Sequence, residues 1–149
     1  RDLVVLVSVN LYLEAVTAAE DVHAAADAYS HLLRHEGSGE FDLVMLGMGP
    51  DGHVASLFPG AAELDDHDHI AVGITDSPKP PPQRVSLTFD ALNRSKAVWF
   101  LVTGADKAEM VRAVFHEEYE PMKYPAQMAS HHGRGVAWFL DEAAASLMD

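Results

Sequence analysis

An apolar run that ends in a glycine-rich turn and a histidine constrains this chain more than any other feature. Residues 43–60 read LVMLGMGPDGHVASLFPG. Short apolar runs bounded by turn residues are typical of buried strands in parallel sheets. Glycine and proline after such a strand let the backbone turn sharply and approach a ligand closely. Because open α/β sheets bind ligands at the carboxyl ends of their strands, we predict a functional loop here.

Two side chains on this loop support proton transfer. Histidines titrate near neutral pH, so His53 can accept or donate a proton, and Asp51 can orient or stabilise its imidazole. The backbone N–H groups of Gly49 and Gly52 can donate to an oxyanion or a phosphate. No nucleophile elbow or P-loop ending is present, so the natural chemistry is general acid–base catalysis on water or substrate. A plain turn with an exposed histidine is the alternative, and spacing alone does not separate the two.

Apolar runs alternate with amphipathic segments along the rest of the chain. We predict strands at residues 70–75, 84–89, 97–103 and 136–140, helices at residues 17–35, 105–115 and 142–148, and a loop at residues 116–135. The strand at 84–89 is predicted to be half-buried and the strand at 97–103 fully buried. Thr17, Asp90 and Asp141 are predicted to cap the helices or turns that follow them. This order predicts one domain over residues 1–149, a Rossmann-like three-layer α/β/α fold with a mostly parallel sheet.

Composition narrows the choice of partners and compartment. The sequence has no cysteine, which excludes disulfides and thiolate metal sites and favours a reducing compartment. Its formal net charge of −13 argues against nucleic acid and against anionic membranes as partners. The apolar stretch Leu3–Leu13 is shorter than the roughly 20 residues of a membrane span. We therefore interpret it as a buried strand or packed segment, with the core of a signal peptide as the alternative.

A few cations lie where a ligand could meet them. Residues 76–84 read DSPKPPPQR, and the prolines predict a stiff, extended loop that holds Lys79 and Arg84 in place. A recognition ligand or a linker is the alternative for this proline-rich segment. Lys107 near the end of the strand at 97–103 is either a solvated helix lysine or a ligand contact. Histidines and acids at residues 31–35 and 61–69 are interpreted as solvated, so no metal site is predicted.

Three segments together resemble one enzyme family. Residues 46–60 (LGMGPDGHVASLFPG), 75–88 (TDSPKPPPQRVSLT) and 99–111 (WFLVTGADKAEMV) resemble 6-phosphogluconolactonases, and residues 138–148 (WFLDEAAASLM) fit the C-terminus of that family. The related glucosamine-6-phosphate deaminases share the Gly-x-Gly-x-Asp-Gly-His core. They continue towards Asn-Glu-Pro, and they lack the Ser-Pro-Lys-Pro-Pro segment.

The resemblance implies a reaction and a set of roles. It implies hydrolysis of 6-phospho-D-glucono-1,5-lactone to 6-phosphogluconate in the oxidative pentose phosphate pathway, in the cytoplasm, without a metal or organic cofactor. His53 would activate water against the lactone carbonyl and return a proton to the ring oxygen, and Asp51 falls in the same motif. Lys79 and Arg84 would lie near the 6-phosphate, where lysine acts as a point charge and arginine as a fork.

The chain departs from the family at its N-terminus. The family's N-terminal half carries a glycine-rich phosphate loop and an Asp-Glu-Arg segment, and neither is present in this sequence. We therefore expect the chain to be the C-terminal portion of a 6-phosphogluconolactonase-like domain. Two alternatives remain for its function, a sugar-phosphate isomerase or deaminase of the same superfamily and an inactive sugar-phosphate-binding fragment.

Overall fold

Helices and strands alternate through the described part of the chain, which in this computed structural model comprises residues 21–37, 40–132 and 135–148. The helices are α1 (Val22–Gly37), α2 (Phe89–Asn93), α3 (Ala108–His116) and α4 (Pro125–His132). The strands are β1 (Val44–Leu46), β2 (Ala71–Ile74), β3 (Arg84–Leu87), β4 (Val98–Val102) and β5 (Val136–Leu140). Short 3₁₀ turns occupy Ala62–Asp65 and Ala105–Lys107. The strand predicted near Leu3 and the cap predicted at Thr17 lie outside the described residues.

A parallel sheet forms the centre of the fold. Its strand order is β1-β4-β5, with Val98 of β4 opposite Val44 of β1 and Val136 of β5. A separate antiparallel pair joins β2 to β3, and α1 packs against β2. The backbones of α1 and β2 are in close contact there, as a Cβ on Gly73 would lie only 2.6 Å from the carbonyl oxygen of Val22. The predicted α/β class with a mostly parallel sheet is confirmed.

The strand predicted to be fully buried, at residues 97–103, is buried on one face only. In β4 the side chains of Val98, Phe100 and Val102 are buried, whereas Trp99 and Leu101 are exposed. Because side chains alternate along a strand, this pattern means that described residues cover only one side of β4. The prediction assumed that an apolar run has two covered faces.

Two polar residues of the strand predicted as half-buried are in fact buried. Ser86 and Thr88 were expected on the outer face, but they are 4% and 0% exposed. The Ser86 hydroxyl accepts a hydrogen bond from the Ser56 N–H at 3.1 Å. The Thr88 hydroxyl donates to the carbonyl of His69 at 2.8 Å and accepts from the N–H of Ala91 at 3.2 Å. Thr88 therefore caps α2, and the cap predicted at Asp90 is wrong.

Aspartates cap the start of helix α1 and of the C-terminal turns. Helix α1 begins at Val22, where the Asp21 carboxylate accepts hydrogen bonds from the N–H groups of His23 and Ala24, both at 2.8 Å. At the C-terminus, residues 142–147 form hydrogen-bonded turns instead of the predicted helix. The predicted capping role of Asp141 is confirmed in part, since its carboxylate accepts from the N–H of Ala144 at 2.8 Å.

Helix α4 lies in the segment predicted as loop. The sequence of this helix has little amphipathic pattern. One of its residues, Gln127, is a buried glutamine. The Gln127 side chain is 0% exposed, accepts from the Glu120 N–H at 2.8 Å and donates to the Glu118 carbonyl at 3.1 Å. Nearby, Phe115 at the end of α3 is 45% exposed. Within the described residues, no helix is long and apolar enough to cross a membrane.

We expect Thr88→Val to destabilise the fold by about 1–3 kcal/mol, because it removes a helix cap and a buried hydroxyl donor without changing side-chain volume. Urea denaturation measures the change in the free energy of unfolding. The matched control is Thr103→Val, the same substitution at an exposed position. Equal losses in the two variants would mean that the Thr88 hydroxyl contributes nothing specific.

Candidate active site

The loop after β1 closes on itself through its own backbone. The Gly49 N–H donates to the carbonyl of His53 at 2.9 Å, and the Gly52 N–H donates to the carbonyl of Gly49 at 3.0 Å. Gly52 has φ of 83°, a left-handed conformation that disfavours any side chain. The predicted use of these two N–H groups as anion donors does not match this geometry, because both already donate within the loop. Gly52 instead provides the turn, and Gly49 leaves space for the side chains of Asp51 and His53.

Gly49 lies directly beneath the predicted catalytic pair. A Cβ on Gly49 would be 2.1 Å from His53 Nδ1 and 2.5 Å from an Asp51 carboxylate oxygen. Both distances are far inside van der Waals contact, so any side chain at this position would displace the pair. Gly47, two residues earlier, has no atom within 4 Å of its virtual Cβ.

His53 and Asp51 are joined by a short hydrogen bond. His53 Nδ1 lies 2.5 Å from Asp51 Oδ1, and the two side chains are 16% and 36% exposed. A carboxylate accepts hydrogen bonds, so the geometry assigns the proton of a neutral imidazole to Nδ1 and leaves a lone pair on Nε2. At 16% exposure His53 is not an exposed histidine, and its role in proton transfer stays a prediction. The prediction that the side chain of Asp51 lies beside the imidazole of His53 is confirmed.

Burial raises the pKa of the Asp51 carboxyl, but the hydrogen bond and charge of His53 outweigh it. A backbone N–H of the loop and the charge of Lys79 act in the same direction, and the pKa of Asp51 lies below its ordinary value of 3.8. Asp51 is therefore ionised at neutral pH and can stabilise a positive charge on His53.

Lys79 extends from the proline-rich loop to the same pair. Its ammonium lies 3.5 Å from Asp51 Oδ1 and 3.4 Å from His53 Nδ1. Since Nδ1 carries the proton that Asp51 accepts, Lys79 interacts with the carboxylate. The side chain is 39% exposed, so the flexible stem leaves the ammonium within reach of a bound anion.

Arg84 holds the proline-rich loop in shape. Its Nε donates to the carbonyl of Pro81 at 3.1 Å, and its Nη2 donates to the carbonyls of Lys79 and Pro80, both at 3.0 Å. Its Nη1 lies 3.5 Å from the Ser56 hydroxyl, at the limit of a hydrogen bond. Three hydrogen bonds from this guanidinium therefore hold the loop that presents Lys79. Sequence reasoning did not foresee this role.

Phe58 is a residue of the site that sequence reasoning missed. Its ring packs on the imidazole of His53 with ring centroids 4.5 Å apart and planes inclined by 32°. The guanidinium carbon of Arg84 lies 5.7 Å from the centroid of the same ring. A large apolar residue inside a glycine- and proline-rich loop was the available signal, because such loops are usually polar and exposed.

Lys107 is the predicted site residue whose ion pair lies outside the group formed by His53, Asp51 and Lys79. Its ammonium pairs with the adjacent Asp106. No hydrogen bond or ion pair in the described part of the chain links Lys107 to His53, Asp51 or Lys79. Its predicted ligand contact has no support from this geometry.

A cleft of about 430 Å³ opens beside His53. It is lined by residues of β1 and of the loop that follows, namely Met45, Leu46, Gly47, Met48, Gly49, His53 and Ala55. This volume falls within the range of small-molecule sites. Across residues 21–37, 40–132 and 135–148, no cluster of three or more histidine, cysteine or acidic side chains could hold a metal ion.

We expect Gly49→Ala to break the hydrogen bond between His53 and Asp51, because the added methyl group occupies the space of the imidazole. The low-field proton resonance of His53 Nδ1–H should disappear from the NMR spectrum. Gly47→Ala is the control, since open space surrounds that position. Survival of the resonance in Gly49→Ala would contradict the close approach.

We expect the Asp51 carboxyl to titrate below pH 3.8, and Lys79→Met to raise its pKa by removing a positive charge. Carbon-13 NMR of the carboxyl against pH measures both. Because the folded pKa is lowered, the stabilisation is complete above the unfolded value and is lost as pH falls through the folded value. Lys96→Met, which removes a lysine paired with Asp42 instead, should leave the midpoint of Asp51 unchanged.

Comparison with known proteins identifies the family. A family model described as glucosamine-6-phosphate isomerases/6-phosphogluconolactonase matches residues 5–138. Human 6-phosphogluconolactonase is 44% identical over 131 residues, which cover 85% of this chain and 50% of that protein. The chloroplastic 6-phosphogluconolactonase 3 of Arabidopsis thaliana is 41% identical, over 92% of this chain and 44% of that protein.

A solved structure agrees with these relatives. The 6-phosphogluconolactonase of Trypanosoma brucei matches with a TM-score of 0.73 and 26% identity, over 89% of this chain and 57% of that one. The chain spans about half the length of the curated relatives that it matches. By sequence and by fold, it belongs to the family of glucosamine-6-phosphate isomerases and 6-phosphogluconolactonases.

Proposed function

We propose that the protein carrying this chain hydrolyses 6-phospho-D-glucono-1,5-lactone to 6-phosphogluconate, in the oxidative pentose phosphate pathway. The observation that supports it most is the hydrogen-bonded pair of His53 and Asp51. This pair lies over Gly49, and the ammonium of Lys79 lies next to it. The family supplies the substrate class, since the similar human and trypanosomal proteins are named as 6-phosphogluconolactonases.

The first step uses His53 as a general base. Its Nε2 lone pair takes a proton from water while the water oxygen bonds to C1 of the lactone. The C1 carbonyl becomes a tetrahedral oxyanion, and the imidazole becomes an imidazolium. Asp51 Oδ1, 2.5 Å from Nδ1, stabilises that positive charge without taking the proton.

The second step uses the same group as a general acid. The oxyanion re-forms the C1 carbonyl, the bond from C1 to the ring oxygen breaks, and Nε2–H gives its proton to that oxygen. The product is an open-chain acid that ionises at neutral pH, and His53 returns to its starting state. One imidazole therefore serves both steps, and the net reaction adds one water.

The 6-phosphate is proposed to face the proline-rich loop. Lys79 has an exposed stem and a weak 3.5 Å contact with Asp51, so its ammonium can turn towards an added anion at little cost. Arg84 contributes positive charge and keeps the loop carbonyls fixed. These are the cations that the chain, with a net charge of −13, places near its histidine.

The compartment is proposed from composition. A chain without cysteine fits a reducing compartment such as the cytoplasm. The Arabidopsis relative is named as chloroplastic, so the compartment differs among relatives.

We expect His53→Gln in the whole protein to lower kcat by about 10²-fold to 10⁴-fold, because the glutamine cannot cycle a proton. The assay follows loss of freshly made lactone, with spontaneous hydrolysis subtracted. His67→Gln is the control, since His67 is an exposed histidine paired with Asp90. Equal rates in wild type and His53→Gln would remove His53 from the mechanism. Release of ammonia from glucosamine 6-phosphate, without lactone hydrolysis, would favour the isomerase branch of the family.

A further inference from the structure

We propose that Phe58 is a positioning residue that sets the plane of the His53 imidazole, a role that rests on the proposed function of His53. The ring centroids of the two residues lie 4.5 Å apart, with planes inclined by 32°. Phe58 acts through the imidazole.

A hydrogen bond and a face contact restrict an imidazole differently. The bond from His53 Nδ1 to Asp51 fixes one direction in the ring plane, and the ring can still tilt about that direction. Packing against a flat surface removes this tilt. Since Nε2 must point at water and then at the ring oxygen, the tilt decides where the lone pair is aimed.

Phe58 is itself firmly placed. It is 4% exposed, next to Leu57, which is 0% exposed. Backbone bonds fix the turn on both sides, from the Leu57 N–H to the Val54 carbonyl at 2.8 Å and from the Ala61 N–H to the Phe58 carbonyl at 3.1 Å. A ring that is almost fully buried on a hydrogen-bonded turn has little freedom to move, so it is a rigid surface for the imidazole.

The same ring connects the two halves of the site. The Arg84 guanidinium carbon is 5.7 Å from its centroid, within the range of a cation–π contact. Arg84 also binds the carbonyls of Lys79 and Pro80. Phe58 therefore sets the spacing between the imidazole and the loop that carries Lys79.

The test is Phe58→Leu in the whole protein, which keeps an apolar side chain and removes the flat ring. We expect kcat to fall about 10-fold or more while KM changes little, because Phe58 orients a reacting group without binding substrate. Phe89→Leu is the matched control, as Phe89 is 2% exposed and lies in α2. It should lose comparable stability and keep its kcat.

A second measurement does not depend on turnover. In wild type the ring current of Phe58 should displace the His53 ring-proton resonances, and Phe58→Leu should return them towards the values of an exposed histidine. Phe89→Leu should leave them in place. Unchanged resonances in Phe58→Leu, or a fall in kcat no larger than in Phe89→Leu, would overturn the proposal. If wild type does not hydrolyse the lactone, the proposed function fails, and the resonances alone decide the role of Phe58.

Discussion

The absence of a side chain at Gly49 is the constraint on which the site depends. Only a bare backbone at that position lets the imidazole of His53 and the carboxylate of Asp51 lie where they do, since a Cβ would overlap both. The turn that creates this space is closed by hydrogen bonds from the Gly49 and Gly52 N–H groups to carbonyls of the same loop. The loop is thus a rigid platform for a proton-transfer pair.

Three side chains lie against the imidazole of His53. Asp51 holds Nδ1 in the plane of the imidazole, and Phe58 covers a face of the ring. Lys79 adds a positive charge from the proline-rich loop, which Arg84 keeps in shape through backbone carbonyls. The two loops follow different strands, so their meeting requires the contact of β3 with the loop after β1, which the hydrogen bond from Ser56 N–H to Ser86 makes. Orientation, charge and substrate binding therefore depend on one tertiary arrangement.

Local patterns predicted the parts of this arrangement that are local. The apolar run before Gly49, the Asp51-Gly52-His53 turn and the alternation of strands with helices followed from neighbouring residues. Partners distant in sequence were not predictable. Ser86 and Thr88 are buried because their hydroxyls meet Ser56 and His69, which lie 30 and 19 residues earlier in the chain. The roles of Phe58 and Arg84 were missed for another reason: their partners are close in sequence, but the conformation of each loop decides whether the side chains turn back onto them.

The most direct measurement of the central claim is a crystal structure of the whole protein with 6-phosphogluconate bound. The account predicts the product carboxylate within hydrogen-bond distance of His53 Nε2, about 3 Å, and the 6-phosphate against the ammonium of Lys79. A product bound in reverse, with its phosphate on His53, or bound away from the cleft beside β1, would contradict the account.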